Sequence, residues 1–335
     1  MIINEPNETY KYNIQYKNCE QILQFIIGQD KDIVCIQESL ISAENQWKTE
    51  IGGKKEEKKF TNIEVLKQKY FFISVNIIDG NNGTTLLKKN KFEIIDARLT
   101  SLNSKNEVEK FSFNNLNPFK GEEKIDLKKD IQNNIFYCRN KTSRIRPYIY
   151  CLLKHNVTQQ YILVFNFWLD HISNLSYQQF SNHIKDIVDD YKKQLKNQHL
   201  NVIFTGDWNE YYQNLNKDYF IDSTYKLVSS QNLGTCCYSE GSVFQLTKPK
   251  LKSLDKTFDL IFSNLNSFEF KTYIDFRYSD HIPLSVSFNL LNFGYDFDGV
   301  IHKQVIPVDD YFNNNGQKRH RHPTKEFLTM LKTTN

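Results

Sequence analysis

No stretch of the 335-residue sequence approaches the roughly 18 uninterrupted apolar residues of a spanning helix, so a helical membrane anchor is not expected. The opening Met1–Glu8 has neither a basic flank nor an apolar segment of signal-peptide length, which implies a soluble, intracellular protein, cytoplasmic or nuclear. The Cys-x-x-Cys spacing is also missing. Six cysteines occur, Cys19, Cys35, Cys138, Cys151, Cys236 and Cys237, and their spacing argues against a zinc site and suits a reducing compartment. Cys35 and Cys151 sit in apolar strand-like runs, where cysteine behaves as a small hydrophobe. The adjacent Cys236–Cys237 pair suggests no mechanism.

Methionine (2) and proline (7) are scarce, and there is no internal repeat and no clear linker before Asn292. The dense basic stripe of a dedicated duplex binder is absent too. The net charge of +4 is spread over short clusters: Lys54–Lys59, Lys88–Lys91, Arg139–Arg146, Lys248–Lys256 and Lys318–His322. Such clusters are most often solvated faces, and the excess is compatible with an anionic substrate without requiring one. What the chain does have is 39% hydrophobic and 14% aromatic residues, with 25 Phe and 19 Tyr. That is enough for a sizeable core, and it favours sheets. The length allows one large α/β domain or two modest ones.

Taken in order, Tyr10–Ile14 reads as a short β-like segment carrying Asn13. Cys19–Ile27 carries a helical stripe closed by Gly28. Asp32–Ser39 reads as a buried strand that runs into Gln37 and Glu38. A helix is expected over Asn62–Gln68 and a strand over Tyr70–Ile78. Thr84–Leu87 and Phe92–Ile95 are expected to form a hairpin through Lys88–Lys91. Asn103–Asn134 is polar and weakly patterned, an insertion or long loop. Tyr148–Leu153 and Tyr161–Phe167 form a second hairpin around His155–Asn156. Tyr177–Leu195 carries the strongest helical stripe: Phe180, Ile184, Ile187, Val188, Tyr191 and Leu195. Further strands are expected at Tyr225–Val228, Phe258–Phe262, Phe268–Phe276 and Ile282–Leu290.

The stretch Asn201–Glu210 has the clearest local logic. Val202, Ile203 and Phe204 make a buried strand that breaks at Gly206. Asp207 and Asn209 follow two positions apart, so an extended chain points both to one side. The pair fits either an Asx-rich turn or a polar site. Other apolar strands also end in, or carry, polar groups: Glu38, Asp259, and Asp280 with His281. Four such cases suggest strand ends converging on one rim. Carboxylates with an amide offer hard oxygen ligands for Mg2+, and a histidine adds acid–base capacity.

Ile36-Gln37-Glu38, Gly206-Asp207-Trp208-Asn209, Phe258-Asp259-Leu260-Ile261 and Ser279-Asp280-His281, in that order, resemble the motif set of the endonuclease/exonuclease/phosphatase superfamily over roughly Tyr10–Leu290. The family includes deoxyribonucleases, apurinic endonucleases, deadenylases and inositol polyphosphate 5-phosphatases. The resemblance implies an α/β (α+β) fold, a four-layer sandwich of two mixed β-sheets flanked by helices. It also implies a phosphoester hydrolase using Mg2+, with Mn2+ as a substitute.

By the same resemblance Glu38 would bind the metal, with Asn13 beside it and Asp280 assisting. Asp207 would orient or deprotonate water, and Asn209 would steady developing charge. His281 would contact the phosphate, polarised by Asp259 or Asp280. Arg146 would face the phosphate. One departure stands out: where the family usually has Asn-x-His-Leu, this chain reads Asn166-Phe167-Trp168-Leu169. Asn166 and Trp168 thus fall at the substrate, with His171 three residues on as a partial substitute for the missing histidine. Trp can donate a hydrogen bond but cannot take a proton.

Lys256-Thr257-Phe258-Asp259 lacks the Trp-Cys-Asp-Arg stretch of 5-phosphatases, which counts against phosphoinositides. Net charge and clustered lysines make nucleic acid the first expectation for the anionic phosphoester partner. Inositol phosphates, or a catalytically impaired ligand-binding member of the fold, are the alternatives. Residues 292–335 form a separate tail in this reading, after a domain spanning 1–291. Asp296-Phe297-Asp298-Gly299-Val300 is similar to the first motif of haloacid dehalogenase-like phosphatases. Too little chain follows for that fold, so a truncated, inactive remnant is expected.

Overall fold

In the computed structural model, which describes residues 8–37, 47–51, 54–77, 83–100, 112–113, 117–118, 123–124, 135–138, 148–169, 177–196, 198–209, 225–229, 234–236, 257–276, 278–279 and 281–290, the chain opens on a helix. This is α1, Glu8–Gln29. The β-like segment expected at Tyr10–Ile14 is therefore helical, and Asn13 lies within α1. The reason is visible in the packing: Cys19, Leu23 and Ile26 are buried further along the helix. Once that packed end forms, adding upstream turns is easier than starting a strand, because helix growth is cooperative.

The elements that follow are β1 Ile33–Ile36, β2 Trp47–Ile51, β3 Lys54–Lys58, α2 Ile63–Lys69, β4 Tyr70–Ile77, β5 Gly83–Lys88 and β6 Phe92–Thr100. Three two-residue strands come next: β7 Ser112–Phe113, β8 Asn117–Pro118 and β9 Glu123–Lys124. Then come β10 Ile135–Cys138, β11 Tyr148–His155, β12 Tyr161–Trp168, α3 Tyr177–Gln194 and β13 Leu200–Asp207. The last strands are β14 Lys226–Leu227, β15 Asp259–Ser263, β16 Ser267–Thr272 and β17 Leu284–Phe288.

Two mixed sheets result. One has the order β1-β5-β4-β10-β7-β8, with β10 parallel to β4. The other has the order β14-β15-β13-β12-β11-β6-β9, with β12 parallel to β13. Two separate ribbons, β2–β3 and β16–β17, complete the strands. β11 and β12 form the expected hairpin. β5 and β6 do not. β5 pairs with β4 and β1, while β6 pairs with β11 and β9, so the chain crosses from one sheet to the other at Lys89–Lys91. Both edges of β5 are taken, by β1 and β4, so no edge is left for β6. Leu86 faces the α1–α2 layer and Leu87 faces the second sheet.

Three apolar clusters set the layers. Leu23, Ile26, Ile63 and Leu66 of α1 and α2 pack on Tyr70, Phe72 and Leu86 of the first sheet. Ile73, Leu87 and Ala97 meet Ile149, Cys151, Val164 and Ile203 between the sheets. Phe180, Ile184, Val188 and Tyr191 of α3 cover Tyr150, Phe165, Val202 and Phe204 on the far side. The order helix, sheet, sheet, helix is the four-layer α/β sandwich expected from sequence. It follows from period-2 alternation in β11–β13, which sends odd and even residues into different clusters.

No helix among the described residues is long and apolar enough to cross a membrane. The chain divides into two compact units, Met1–Leu290 and Leu291–Asn335, and the second, with its haloacid dehalogenase-like motif, lies outside the described residues.

Candidate active site

β13 is built from Leu200, Val202 and Phe204 facing α3, with Ile203 facing the other sheet. Its parallel neighbour β12 places Phe167 beside Gly206 and Trp168 beside Asp207. A Cβ at Gly206 would run into the Phe167 carbonyl, so only glycine lets the two strands stay together here. The strand ends at Trp208, whose ring is buried against Phe167 and Phe262 at centroid distances of 4.7 and 5.0 Å. The Trp208 indole N–H donates to Leu260 O at 3.1 Å and its backbone N–H donates to Phe258 O at 2.8 Å. This tryptophan locks the end of β13 to the start of β15.

Asp207 is 4% exposed and sits where the strand gives out. The Asn209 backbone N–H donates to Asp207 Oδ1 at 2.9 Å, and the Asn209 side-chain Nδ2 donates to Asp207 Oδ2 at 3.1 Å. Nδ2 also donates to Leu169 O at 2.6 Å, and Leu169 N–H donates to Asp207 O at 2.8 Å. Asn209 has a φ of 50°, the left-handed region that asparagine tolerates better than most residues. The local geometry is thus an Asx turn, and both orientations of Asp207 are fixed by it. Of the two readings from sequence, this is the geometry of the Asx-rich turn.

Directly opposite Asp207 across the antiparallel β13–β15 pair is Asp259. Residues so paired share one face of the sheet, and like charges there repel. Asp259 is matched by His281, whose Nδ1 lies 2.9 Å from Asp259 Oδ2. A carboxylate at that distance accepts a hydrogen bond from Nδ1–H and orients the ring through it. Of the two candidates for polarising His281, Asp259 makes this contact, and Asp280 lies outside the described residues. His281 is placed by a short turn in which its backbone N–H donates to Ser279 Oγ at 3.1 Å.

Asn166 and Trp168 lie deeper. Asn166 is 1% exposed and bridges the sheets: its Nδ2 donates to Thr84 O at 3.1 Å and Thr85 Oγ1 at 3.0 Å, and its Oδ1 accepts from Gln37 Nε2 at 2.7 Å. Trp168 is 1% exposed, with its ring laid so closely on Gly83 that a Cβ there would overlap it. Both residues face the first sheet between the layers. Glu38, Arg146, His171 and Asp280 lie outside the described residues, and so does the side chain of Asn13.

Sequence reasoning left two residues without a role that the structure gives them. Gln37 appeared only inside the Ile36-Gln37-Glu38 motif. Thr235 was given no role, and the structure ties it to both Asp259 and the His281 turn. Cys236 is disulfide-bonded. Cys19, Cys35 and Cys151 are free thiols. Burial pushes the Cys151 thiol well above its ordinary range, as befits a packing residue rather than a nucleophile.

Among the described residues no group of three or more His, Cys, Asp or Glu side chains could by itself hold a metal. The Asp207 and Asp259 carboxylates are paired at this end of the sheet, and carboxylate oxygens are the donor type that a hard divalent cation takes.

No protein-family model matches the sequence, and no curated protein matches it either. Solved structures do. An endonuclease/exonuclease/phosphatase family protein from Bacteroides thetaiotaomicron superimposes with a TM-score of 0.52 at 16% identity, covering 85% of this chain and 91% of that one. A mannosyl-6-phosphatase from the same species gives 0.52 at 16% identity over 85% and 96% of the two chains. An endonuclease/exonuclease/phosphatase from Bacteroides vulgatus gives 0.52 at 15% identity with the same coverage. At such identity the likeness concerns the fold. The chain has the fold of the endonuclease/exonuclease/phosphatase proteins.

Proposed function

We propose that this chain is a Mg2+-dependent phosphoester hydrolase in which water attacks phosphorus directly. The observation that carries the reading is the pairing of two differently held carboxylates on directly opposite residues: Asp207, fixed by Asn209, and Asp259, fixed to His281. Neighbouring carboxylates in unlike environments are a common way to divide acid and base roles.

Asp207, held in one orientation by two hydrogen bonds, positions a water and takes its proton as the new P–O bond forms. Asn209 restrains that carboxylate through its backbone and side-chain N–H groups. His281, oriented through Nδ1, offers Nε2–H to a phosphoryl oxygen, and Asp259 supports the positive charge on the ring. The scissile P–O bond breaks toward the leaving oxygen. Glu38, Asn13 and Asp280 would hold Mg2+, or Mn2+ in its place, which supplies charge neutralisation for the phosphoryl group. Trp168, buried on Gly83, serves packing in this scheme, and Arg146 and His171 would meet the substrate's phosphate.

The substrate reading favoured by net charge and lysine clusters is a nucleic-acid phosphodiester. A phosphomonoester of a sugar or inositol is the second reading, favoured by the mannosyl-6-phosphatase among the structural likenesses. A panel decides: single-stranded DNA, abasic duplex, RNA, 5′-tyrosyl DNA, inositol phosphates and mannose 6-phosphate, each with Mg2+, Mn2+ or EDTA. Metal-dependent nicking without phosphate release supports the diester reading, and release without nicking supports the monoester reading. Hydrolysis that survives EDTA would remove the metal. Silence throughout, reversed by Trp168→His, would show a natively impaired member of the fold.

A further inference from the structure

We propose that Thr235 is the positioning residue that holds Asp259 and His281 in register with each other. The inference rests on reading that pair as part of a hydrolytic centre. Asp259 begins β15, and His281 lies in the connection between β16 and β17, so the pair joins two segments well separated in sequence. Thr235 is tied to both. The Phe258 and Asp259 backbone N–H groups donate to its Oγ1 at 3.2 and 3.1 Å. The backbone N–H of Ile282, the residue after His281, donates to Thr235 O at 2.7 Å.

Thr235 is 1% exposed, and the two hydrogen bonds its Oγ1 accepts come from the backbone amides of Phe258 and Asp259. A hydroxyl oxygen has two lone pairs, which suits two amide donors. The β-branched side chain has few rotamers, so the acceptor stays in place. Cys236, next in sequence, is buried and disulfide-bonded. Phe258 completes a continuous path. Its carbonyl accepts from Trp208 and its N–H donates to Thr235, so one backbone unit links the Asp207 turn, the Asp259 strand end and the Thr235 clamp.

Removing the hydroxyl leaves two amides without their acceptor, and such groups move or take in water. A shift of about 1 Å at a catalytic group can cost on the order of a hundredfold in rate. The test compares Thr235→Val, Thr235→Ala and Thr235→Ser in the full chain, with melting curves to confirm folding. Two readouts are taken: kcat and KM on whichever phosphoester the unaltered protein hydrolyses, and the low-field NMR signal of the hydrogen-bonded His281 Nδ1 proton.

Thr235→Val is expected to lower kcat on the order of 10–100-fold with KM unchanged. Thr235→Ala leaves room for a replacement water and falls between, and it decides the matter if the valine variant does not fold. Thr235→Ser restores both rate and signal. A folded valine or alanine variant with unaltered kcat and an intact imidazole signal overturns the proposal. So does a serine variant that behaves like valine. If the unaltered protein hydrolyses nothing, the hydrolytic reading fails, and the imidazole signal alone still judges Thr235.

Discussion

Strands β12 and β13 run side by side in parallel and end on similar tetrapeptides, Asn166–Leu169 and Gly206–Asn209, each with one tryptophan and one asparagine. Their polar groups have opposite fates. Asn166 sits opposite Thr205, one pleat before the rim, and its amide is consumed by Gln37, Thr84 and Thr85 of the first sheet. Asn209 lies beyond the last ladder pair, turns back in a left-handed conformation and fixes Asp207. The tryptophans differ as well. Trp168 faces the inter-sheet layer against Gly83, while Trp208 faces the α3 layer among Phe167, Phe180 and Phe262. Depth, more than residue type, decides whether a polar group at these strand ends is tied up between the sheets or fixes the turn at the rim.

The comparison can be sharpened first at the tryptophans. Trp168→Ala and Trp208→Ala should each destabilise by about 3–5 kcal/mol, seen as a large fall in Tm. They should part in activity: Trp208→Ala also frees the backbone under Asp207 and lowers kcat, while Trp168→Ala lowers it much less per unit of stability lost. Equal kcat losses would show that both strand ends support the site.

A smaller effect separates the asparagines. Asn209→Gly keeps the left-handed backbone available and removes the side-chain donor. It should lower kcat on the order of 10–100-fold with little change in Tm. Asn166→Leu should do the reverse, costing about 1–3 kcal/mol for the inter-sheet groups it strands while sparing kcat. A kcat loss in Asn166→Leu without loss of Tm would place Asn166 at the substrate and break the comparison.

The smallest expected effect lies at the opposite end of β12. His155, in the β11–β12 turn, accepts the Thr158 backbone N–H at Nδ1, 3.1 Å away. Burial first, and then the nearby Lys91 charge, hold its pKa below the ordinary histidine value. The unfolded chain then binds a proton more readily, so this stabilisation is complete above the ordinary value of about 6.5 and is lost as pH falls through the folded one. His155→Asn keeps an acceptor without a titration and should flatten that part of the Tm–pH curve, leaving kcat untouched.

Much of this was legible from local pattern. β13 showed as Val202–Phe204 because it is buried on both faces, and α3 showed as a stripe because its other face is polar. The facing of Asp207 and Asp259 was not legible, since register across β13–β15 is set by strands distant in sequence. The crossing from β5 to β6 was missed because Lys88–Lys91 looks like any polar turn, and only the partners of the two strands reveal different sheets. The helix at Tyr10–Ile14 was missed because tyrosine and isoleucine favour strands locally, whereas the burial that decides lies at Leu23 and Ile26. Thr235 gave no signal at all, because an acceptor for two amides has no sequence pattern.

The central claim is that Asp207 serves a water-attack step beside an Asp259–His281 pair. The most direct measurement is hydrolysis of a generic phosphodiester by the full chain and by Asp207→Asn, with Mg2+ and with EDTA, alongside melting curves. The account predicts Mg2+-dependent turnover that EDTA abolishes, and a loss on the order of 10²–10⁴-fold in Asp207→Asn with the fold intact. Undiminished turnover in a folded Asp207→Asn variant would contradict it.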